Sequence, residues 1–340
     1  MSSPSNLVDE DDLSLVEALQ LSPRATWRDI GRSLGIETRT ARRRWARLRD
    51  EGLAWIACTP GPASPAVFAH IQIACAPGDT ARIAAELVER PRFVTVQTQG
   101  GGSYGLLALA VVPRIEALNV AAIDDVSTIP GIQAHRVSVV TRIFRQGADW
   151  RVGALDEESS GALAATRRPP DSSRGLGPAA RRLREPLLAL LNEDGRMSVR
   201  RVAERLGESE PTARRALADL LGAGHLLQRC EVSHAAVGRP VDLVLWLSVS
   251  PERLGAIAHE LSQQRVVRVC VAIVGGESNL LIQCWLRGPD EIPSVERFVA
   301  TIAGARIVER GIILRHYKRF NHVLDDRQRT IRIVSAPGDA

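Results

Sequence analysis

Residues Thr40–Leu48 read TARRRWARL, and residues Thr212–Leu220 read TARRALADL. The second stretch repeats the first four letters of the first at a distance of 172 positions. Working outward at that spacing, Leu15 falls on Leu187, Leu34-Gly35 on Leu206-Gly207, Leu48 on Leu220, Gly52 on Gly224 and Cys58 on Cys230. Further along the spacing becomes 174, where Val67 falls on Val241, Leu87 on Leu261, Gly101-Gly102 on Gly275-Gly276 and Leu106-Leu107 on Leu280-Leu281. Matches over so many positions make the chain one two-part unit written twice. Between the copies, Asp156–Pro178 is rich in Ser, Gly and Pro, and its composition reads as a linker.

The first part of each unit has helical periodicity. Leu15, Val16 and Leu19 form an apolar stripe. Thr26 followed by Asp29 predicts a capped helix start, with Ile30 and Leu34 inward and Gly35 as the stop. A third helix is expected to run to about Glu51, before Gly52. The second copy repeats the scheme with Ser198 as cap, Val202 and Leu206 inward, Gly207 as stop, then Ser209 as cap with Pro211 just inside. Two short helices joined by a tight Gly-bearing turn form a helix-turn-helix.

The second part alternates strands and helices. Val67–Ile73 is apolar at every second position, as in a half-buried strand. A helix over Thr80–Glu89, strands at Phe93–Thr98 and Leu106–Val112, a helix over Ile115–Ser127 and a strand at Ile132–Ile143 complete a βαββαβ order, which is ferredoxin-like. The second copy places these at Val241–Val249, Pro251–Ser262, Val266–Val274, Leu280–Leu286, Glu291–Ile302 and Arg306–Tyr317. The expected fold class is α+β, with two winged or helix-turn-helix three-helix domains (residues 1–60 and 181–234) alternating with two ferredoxin-like domains (64–148 and 238–324). A linker at 149–180 and a tail at 325–340 complete the chain.

Composition sets the class. At 340 residues, 45% hydrophobic and 24% charged, the chain reads as ordinary soluble protein of several compact units. No apolar run reaches the ~18–20 residues of a membrane helix. The polar, acidic start MSSPSNLVDEDD is unlike a secretory or transit peptide, so the cytoplasm is the expected compartment and no membrane partner is expected. A pI near 9.3 permits a polyanionic partner. Cys58, Cys75, Cys230, Cys270 and Cys284 lack C-x-x-C pairing and zinc-ligand spacing, so they are expected as buried thiols, with a redox sensor as the alternative. No cofactor, metal or catalytic residue is expected.

Within Thr40–Leu48, Ala41, Trp45 and Leu48 recur at i, i+4 and i+7 and form the inward stripe. Arg39, Arg42, Arg43 and Arg47 are left outside, with Arg44 at the border. The planar guanidinium can bond guanine bidentately or clamp a phosphate, and the second helix of a helix-turn-helix enters the major groove. Arg39, Thr40 and Arg43 are therefore the expected base readers, with Arg28, Arg32, Arg47 and Arg49 on the DNA backbone. The second copy keeps Thr212, Arg214 and Arg215, but replaces Arg44, Arg47 and Arg49 with Ala216, Asp219 and Leu221. On phosphate count, the first helix is expected to grip duplex DNA more strongly.

The segment SLGIETRTARRRWARLRDEGL, followed by a βαββαβ module with a Gly-rich turn before Leu106-Leu107, resembles the Lrp/AsnC (feast/famine) transcription regulators. The resemblance covers about residues 13–144 and 182–320. It implies a nucleoid-associated DNA binder whose ferredoxin-like (RAM-type) modules pair and assemble further, with small effectors such as amino acids bound at the turn between the second and third strands. Fusion of two units implies an intramolecular pseudo-dimer. The effector turns fall at Gly102-Ser103-Tyr104-Gly105 and Gly276-Glu277-Ser278-Asn279. The family's aspartate position is Gly105 in one copy and Asn279 in the other, so neither turn supplies a carboxylate for an amino group.

Two other readings compete. Sirohaem decarboxylases share the two-part architecture but carry a His-Asn-Tyr-type cluster where the module's first strand begins; here only His70 lies nearby. RHYKRFNH (Arg315–His322) contains His316, Tyr317 and His322 but reads as a last strand and exposed tail. A nucleoid-architectural protein differs from a local regulator in its specificity ratio.

Overall fold

The computed structural model describes residues 8–166, 170–171, 173 and 175–334. Residues 1–7 of the expected first domain, 167–169, 172 and 174 of the expected linker, and 335–340 of the expected tail lie outside the described residues. The first copy runs α1 (Glu10–Leu21), α2 (Trp27–Ser33), α3 (Thr38–Asp50), β1 (Ala54–Pro60), β2 (Val67–Cys75), α4 (Thr80–Val88), β3 (Phe93–Gly100) and β4 (Leu106–Val112). It ends with the single turns α5 (Ala117–Asn119) and α6 (Asp125–Ser127) and strand β5 (Ile132–Arg145). After α7 (Glu157–Ala165), the second copy runs α8 (Pro178–Glu193), α9 (Val199–Leu206), α10 (Glu210–Gly222), β6 (Leu226–Val232), β7 (Val241–Val249), α11 (Leu254–Ser262), β8 (Val267–Val274), β9 (Leu280–Leu286), α12 (Ile292–Thr301) and β10 (Ala305–Arg319). β11 (His322–Leu324) and β12 (Thr330–Ile333) follow.

These elements gather into two compact units that cut across the repeat. One holds both helical heads, and the other holds both strand-rich modules. The elements that alternate along the chain are therefore grouped by kind in space.

In the helical unit, the expected caps form: Thr26 accepts from the Asp29 amide, Ser198 from Arg201 and Ser209 from Thr212. Gly35 and Gly207 both sit at φ +64°, a left-handed conformation that favours glycine. β1 and β6 pair antiparallel, from Ala54 opposite Val232 to Pro60 opposite Leu226. Ala57 faces Arg229, which is its own twin at the 172-residue spacing, so a pseudo-two-fold axis passes through this pair. Each arm also crosses to the other copy. Cys58 of β1 joins the core of Leu183, Leu187, Leu191, Val202, Leu217 and Leu220, and its amide donates to Asn192 Oδ1 at 3.1 Å.

Part of the expected linker is ordered structure. Asp156 caps α7 through the Ser159 amide, and Leu163 is fully buried. A few ordered apolar contacts suffice to fold a segment whose average composition reads as open chain. In the expected tail, the Thr330 amide donates to Gly52 O at 2.9 Å.

In the other unit, each module has its strands in the order second, third, first, fourth: β3-β4-β2-β5 and β8-β9-β7-β10. The long last strands join the modules. β5 pairs with β2 over its first half and with β8 over its second, while β10 pairs with β7 and then with β3. The eight strands thus close into a barrel, and neither module keeps a free edge within it. The chain's single lysine, Lys318, is fully buried on β10. Its Nζ donates to the carbonyls of Val88 and Arg90 at 3.0 and 3.2 Å, capping the C-terminal end of α4 from the other copy. The helix expected over Ile115–Ser127 is interrupted by a π-turn at Val120–Asp124. Ala121 and Val126 are both buried, and their five-residue spacing shares one face only through such a turn.

The barrel interior is apolar at its middle, with Trp246, Leu107, Val244, Ile273 and Leu281. Within the second module, the fully buried Asp242 accepts from Gln283 Nε2 at 2.8 Å and Trp285 Nε1 at 3.1 Å, and lies 3.2 Å from His316 Nε2. His234, in the loop before β7, lies 5.3 Å from His316 between ring centroids. Arg315–His322, expected as a last strand and exposed tail, does form the end of β10 and the start of β11, but from His316 onward it is largely buried. β10 turns into β11 through Phe320 and Asn321 at φ 46° and 69°, the two left-handed positions of a tight hairpin. All five cysteines are free thiols, four of them buried, and burial pushes Cys58 and Cys270 up to about 12. No helix among the described residues is long and apolar enough to cross a membrane.

Burial pushes the His234 imidazole down to about 3, and it also lowers His316 against the pull of Asp242. Both stay neutral in the fold but take up a proton when unfolded below pH ~6.5. Their contribution to stability is complete above that pH and declines as pH falls toward their folded values. His234 alone should lose about 2 kcal/mol at pH 5. Thermal unfolding at pH 7.5 and pH 5 measures this: the midpoint should fall on acidification, and His234→Gln should flatten the dependence.

Candidate nucleic-acid interface

α3 and α10 each bury one stripe and expose another face. Ala41, Trp45 and Leu48 are buried in the first head, and Ala213, Leu217 and Leu220 in the second. Arg39, Arg42 and Arg43 are exposed. Among the described residues, none of these three has a carboxylate partner. Thr40, their neighbour, is half-buried. In the second head Arg214 and Arg215 are exposed, with Arg214 paired to Glu210 and Arg215 Nε 3.4 Å from Pro211 O. Thr212 Oγ1 lies 2.8 Å from the capping Ser209 hydroxyl.

The residues expected on the DNA backbone divide. Arg28 and Arg32 are exposed on α2, with Arg32 3.8 Å from Asp29. Arg47 is held by Asp12 and by Glu51, and Arg49 lies 3.0 Å from Asp50. The border residue Arg44 is bonded to Asp9, Asp11 and Asp12 at 2.8, 2.6 and 3.0 Å. The sequence window around α3 does not contain Asp9, Asp11 or Asp12, so these pairs are invisible to helical periodicity.

A reciprocal contact that sequence reasoning missed holds the heads together. Arg24 donates to the carbonyls of Gly195 and Met197, both at 2.9 Å. Its twin Arg196 donates to the carbonyls of Pro23 and Ala25, at 2.6 and 2.7 Å. Each guanidinium thus grips the loop that carries the other. Burial lowers the pKa of both, Arg196 to about 10, so both remain charged at neutral pH. Arg196 also lies over the Trp27 ring at 4.0 Å, a cation–π contact. The repeated arginine within the 172-residue register was the available signal.

In the barrel, the two expected effector turns converge on one ion pair. A Cβ at Gly102 would lie 3.1 Å from Glu309 Oε1, and one at Gly276 would lie 3.4 Å from the Arg136 side chain. Arg136 Nη1 sits 3.3 Å from Glu309 Oε2, and its guanidinium covers Tyr104 at 4.9 Å. Glu309 also accepts from Gln72 Nε2 at 2.9 Å. Gly105 packs beside the Thr80 side chain, and Ser103 and Glu277 are exposed. Asn279 is committed to structure, accepting from the Val249 amide at 2.8 Å and donating to its carbonyl at 2.7 Å. Ser278 is half-buried beside it. Among the described residues, no group of three or more His, Cys, Asp or Glu could hold a metal ion.

Residues 8–49 and 186–221 match the AsnC-type helix-turn-helix domain. The HTH-type transcriptional regulator Ptr1 of Methanocaldococcus jannaschii is 26% identical over 145 residues, covering 42% of this chain and 97% of the regulator. The HTH-type transcriptional regulator FL11 of Pyrococcus furiosus is 24% identical over 149 residues, covering 43% of this chain and 97% of that protein. Each alignment has about the length of one unit. Among solved structures, the siroheme decarboxylase NirDL shares the fold over 97% of this chain and 95% of its own, with a TM-score of 0.54 and 14% identity.

Removing either clasp arginine leaves two carbonyls without their charged donor. Arg24→Ala or Arg196→Ala should each cost about 3 kcal/mol in urea unfolding. The two substitutions should couple in a double-mutant cycle, because each loop carries both a donor and the acceptors of the other.

Proposed function

We propose that this chain, an Lrp/AsnC-type protein with its two-part unit written twice, is a transcriptional regulator that reads two half-sites of double-stranded DNA. The observation that carries this reading is the pair of exposed arginine faces on α3 and α10, held in one unit by twin contacts. Arg39, Thr40, Arg42 and Arg43 read bases in one half-site, and Thr212, Arg214 and Arg215 in the other, while Arg28 and Arg32 touch phosphates. Because the heads are twins but not identical, the matching operator is an imperfect palindrome. The compartment is the cytoplasm, at the nucleoid.

The ferredoxin-like modules pair within the chain and bind an effector with the chemistry of an amino acid. Glu309 supplies the carboxylate that neither turn carries, and Arg136 supplies a cation for the ligand's own carboxylate. Tyr104 and Gly102–Gly105 form one wall, and Gly276–Asn279 another. Val274 and Leu314 are exposed near the turns, at 59% and 70%, and give further copies of the chain an apolar surface to meet. A second reading, an enzyme acting on a tetrapyrrole, draws on the buried His234, His316 and Asp242. The absence of a His-Asn-Tyr-type cluster at the start of β2 and β7 weighs against it.

Anisotropy titrations with fragments from the promoter beside its gene test the regulator reading. Arg43→Ala and Arg215→Ala should each weaken specific binding about 10–100-fold. Absence of preference for any fragment over random DNA favours the architectural alternative, and a Soret-band shift on mixing with an iron porphyrin favours the enzyme. For the effector, Glu309→Gln should abolish any thermal shift produced by amino acids while leaving the response to 2-oxo acids.

A further inference from the structure

The extra arginines of the first reading helix are matched by acids in the first helix of the same head. Asp9 caps α1 and forms a reciprocal box with Asp12. The same two carboxylates, with Asp11, hold Arg44, and Asp12 also holds Arg47. Asp12 is almost wholly buried (side chain 1% exposed), and Arg44 and Arg47 are only 24% and 37% exposed. Burial works to raise the Asp9 carboxyl, but the Arg44 and Asp12 hydrogen bonds hold it below its ordinary value.

The twin positions show that charge has been exchanged between helices. Asp9, Glu10 and Asp12 correspond to Arg181, Arg182 and Arg184, while Arg44 and Arg47 correspond to Ala216 and Asp219. Residues 9–52 contain nine arginines and nine acids, and residues 181–224 contain nine arginines and seven acids, with no lysine in either. The head with the more basic reading helix is therefore neutral as a whole, and its twin is net positive.

We propose that Asp9, Asp11 and Asp12 form an acidic brace that withholds Arg44 and Arg47 from DNA. The first head then grips with Arg39, Arg42 and Arg43, and the stronger grip expected from its helix sequence does not arise. The brace fixes α3 against α1 and so acts as a positioning device for the reading face. This inference rests on α3 being a DNA-reading helix.

The test is the salt dependence of DNA binding by the full chain and its variants, with circular dichroism as the folding check. Arg44→Ala and Arg47→Ala should leave the slope of log K against log salt unchanged and lower the melting temperature, whereas Arg28→Ala, which removes a phosphate contact, should flatten the slope by about 0.9. The triple variant Asp9→Asn, Asp11→Asn, Asp12→Asn should bind more tightly at low salt. Two freed arginines on phosphates should make its loss of affinity between 50 and 200 mM salt about tenfold greater. Should that variant fail to fold, Asp9→Asn with Asp11→Asn keeps the buried Asp12 and should show the same change in smaller degree. A slope reduced by Arg44→Ala or Arg47→Ala as much as by Arg28→Ala overturns the brace, as does a folded Asn variant with an unaltered slope. DNA binding absent from the wild type and every variant overturns the regulator reading and the brace with it.

Discussion

Two half-buried guanidiniums, Arg24 and Arg196, each hold the loop from which the other projects. Taking a charge out of water is costly, and here carbonyl acceptors and the Trp27 face offset that cost. The exchange closes only if the two copies meet about a two-fold axis, because each arginine must reach the twin of the loop that carries it. The β1–β6 ladder, with Ala57 opposite Arg229, obeys the same axis. α3 and α10 inherit their mutual orientation from these contacts, so their spacing is a property of the duplication.

The barrel solves the same problem with strands. A lone module would leave its second and fourth strands as open edges, and the long β5 and β10 close each module on the other. Duplication also lets the two copies diverge inside a shared interior. Asp242, Gln283, Trp285 and His316 occupy positions whose twins are Phe68, Leu109, Val111 and Arg142. A buried carboxylate demands donors on all sides, so these residues of the second copy work as a set.

Much of the architecture was legible from local chemistry. Thr26, Ser198 and Ser209 cap the helices at which the sequence places them, and the strands at Leu106–Val112, Val241–Val249 and Leu280–Leu286 have the expected limits. β1 and β6 escaped because both are buried on both faces, which erases the period of two that marks a strand. Arg47 lies half-exposed on the flank of α3, but its pairing was not legible, because an arginine's partner is set by tertiary contact and Asp12 lies 35 residues away. For the same reason Glu309, the carboxylate beside Gly102, lay hidden in the other copy.

Read locally, the chain shows a duplicated unit, the capped starts of α2, α9 and α10, the glycine stops of α2 and α9, and the arginines that α3 and α10 carry. These follow from periodicity, capping and register, all of which act over a few residues or repeat at a fixed spacing. Which charges remain available depends on contacts that form only in the fold. Copy-to-copy contacts consume Arg24 and Arg196, the first helix consumes Arg44 and Arg47, and Arg39, Arg42 and Arg43 are left facing outward. Charge is written residue by residue, but its use depends on what folding brings within hydrogen-bonding distance.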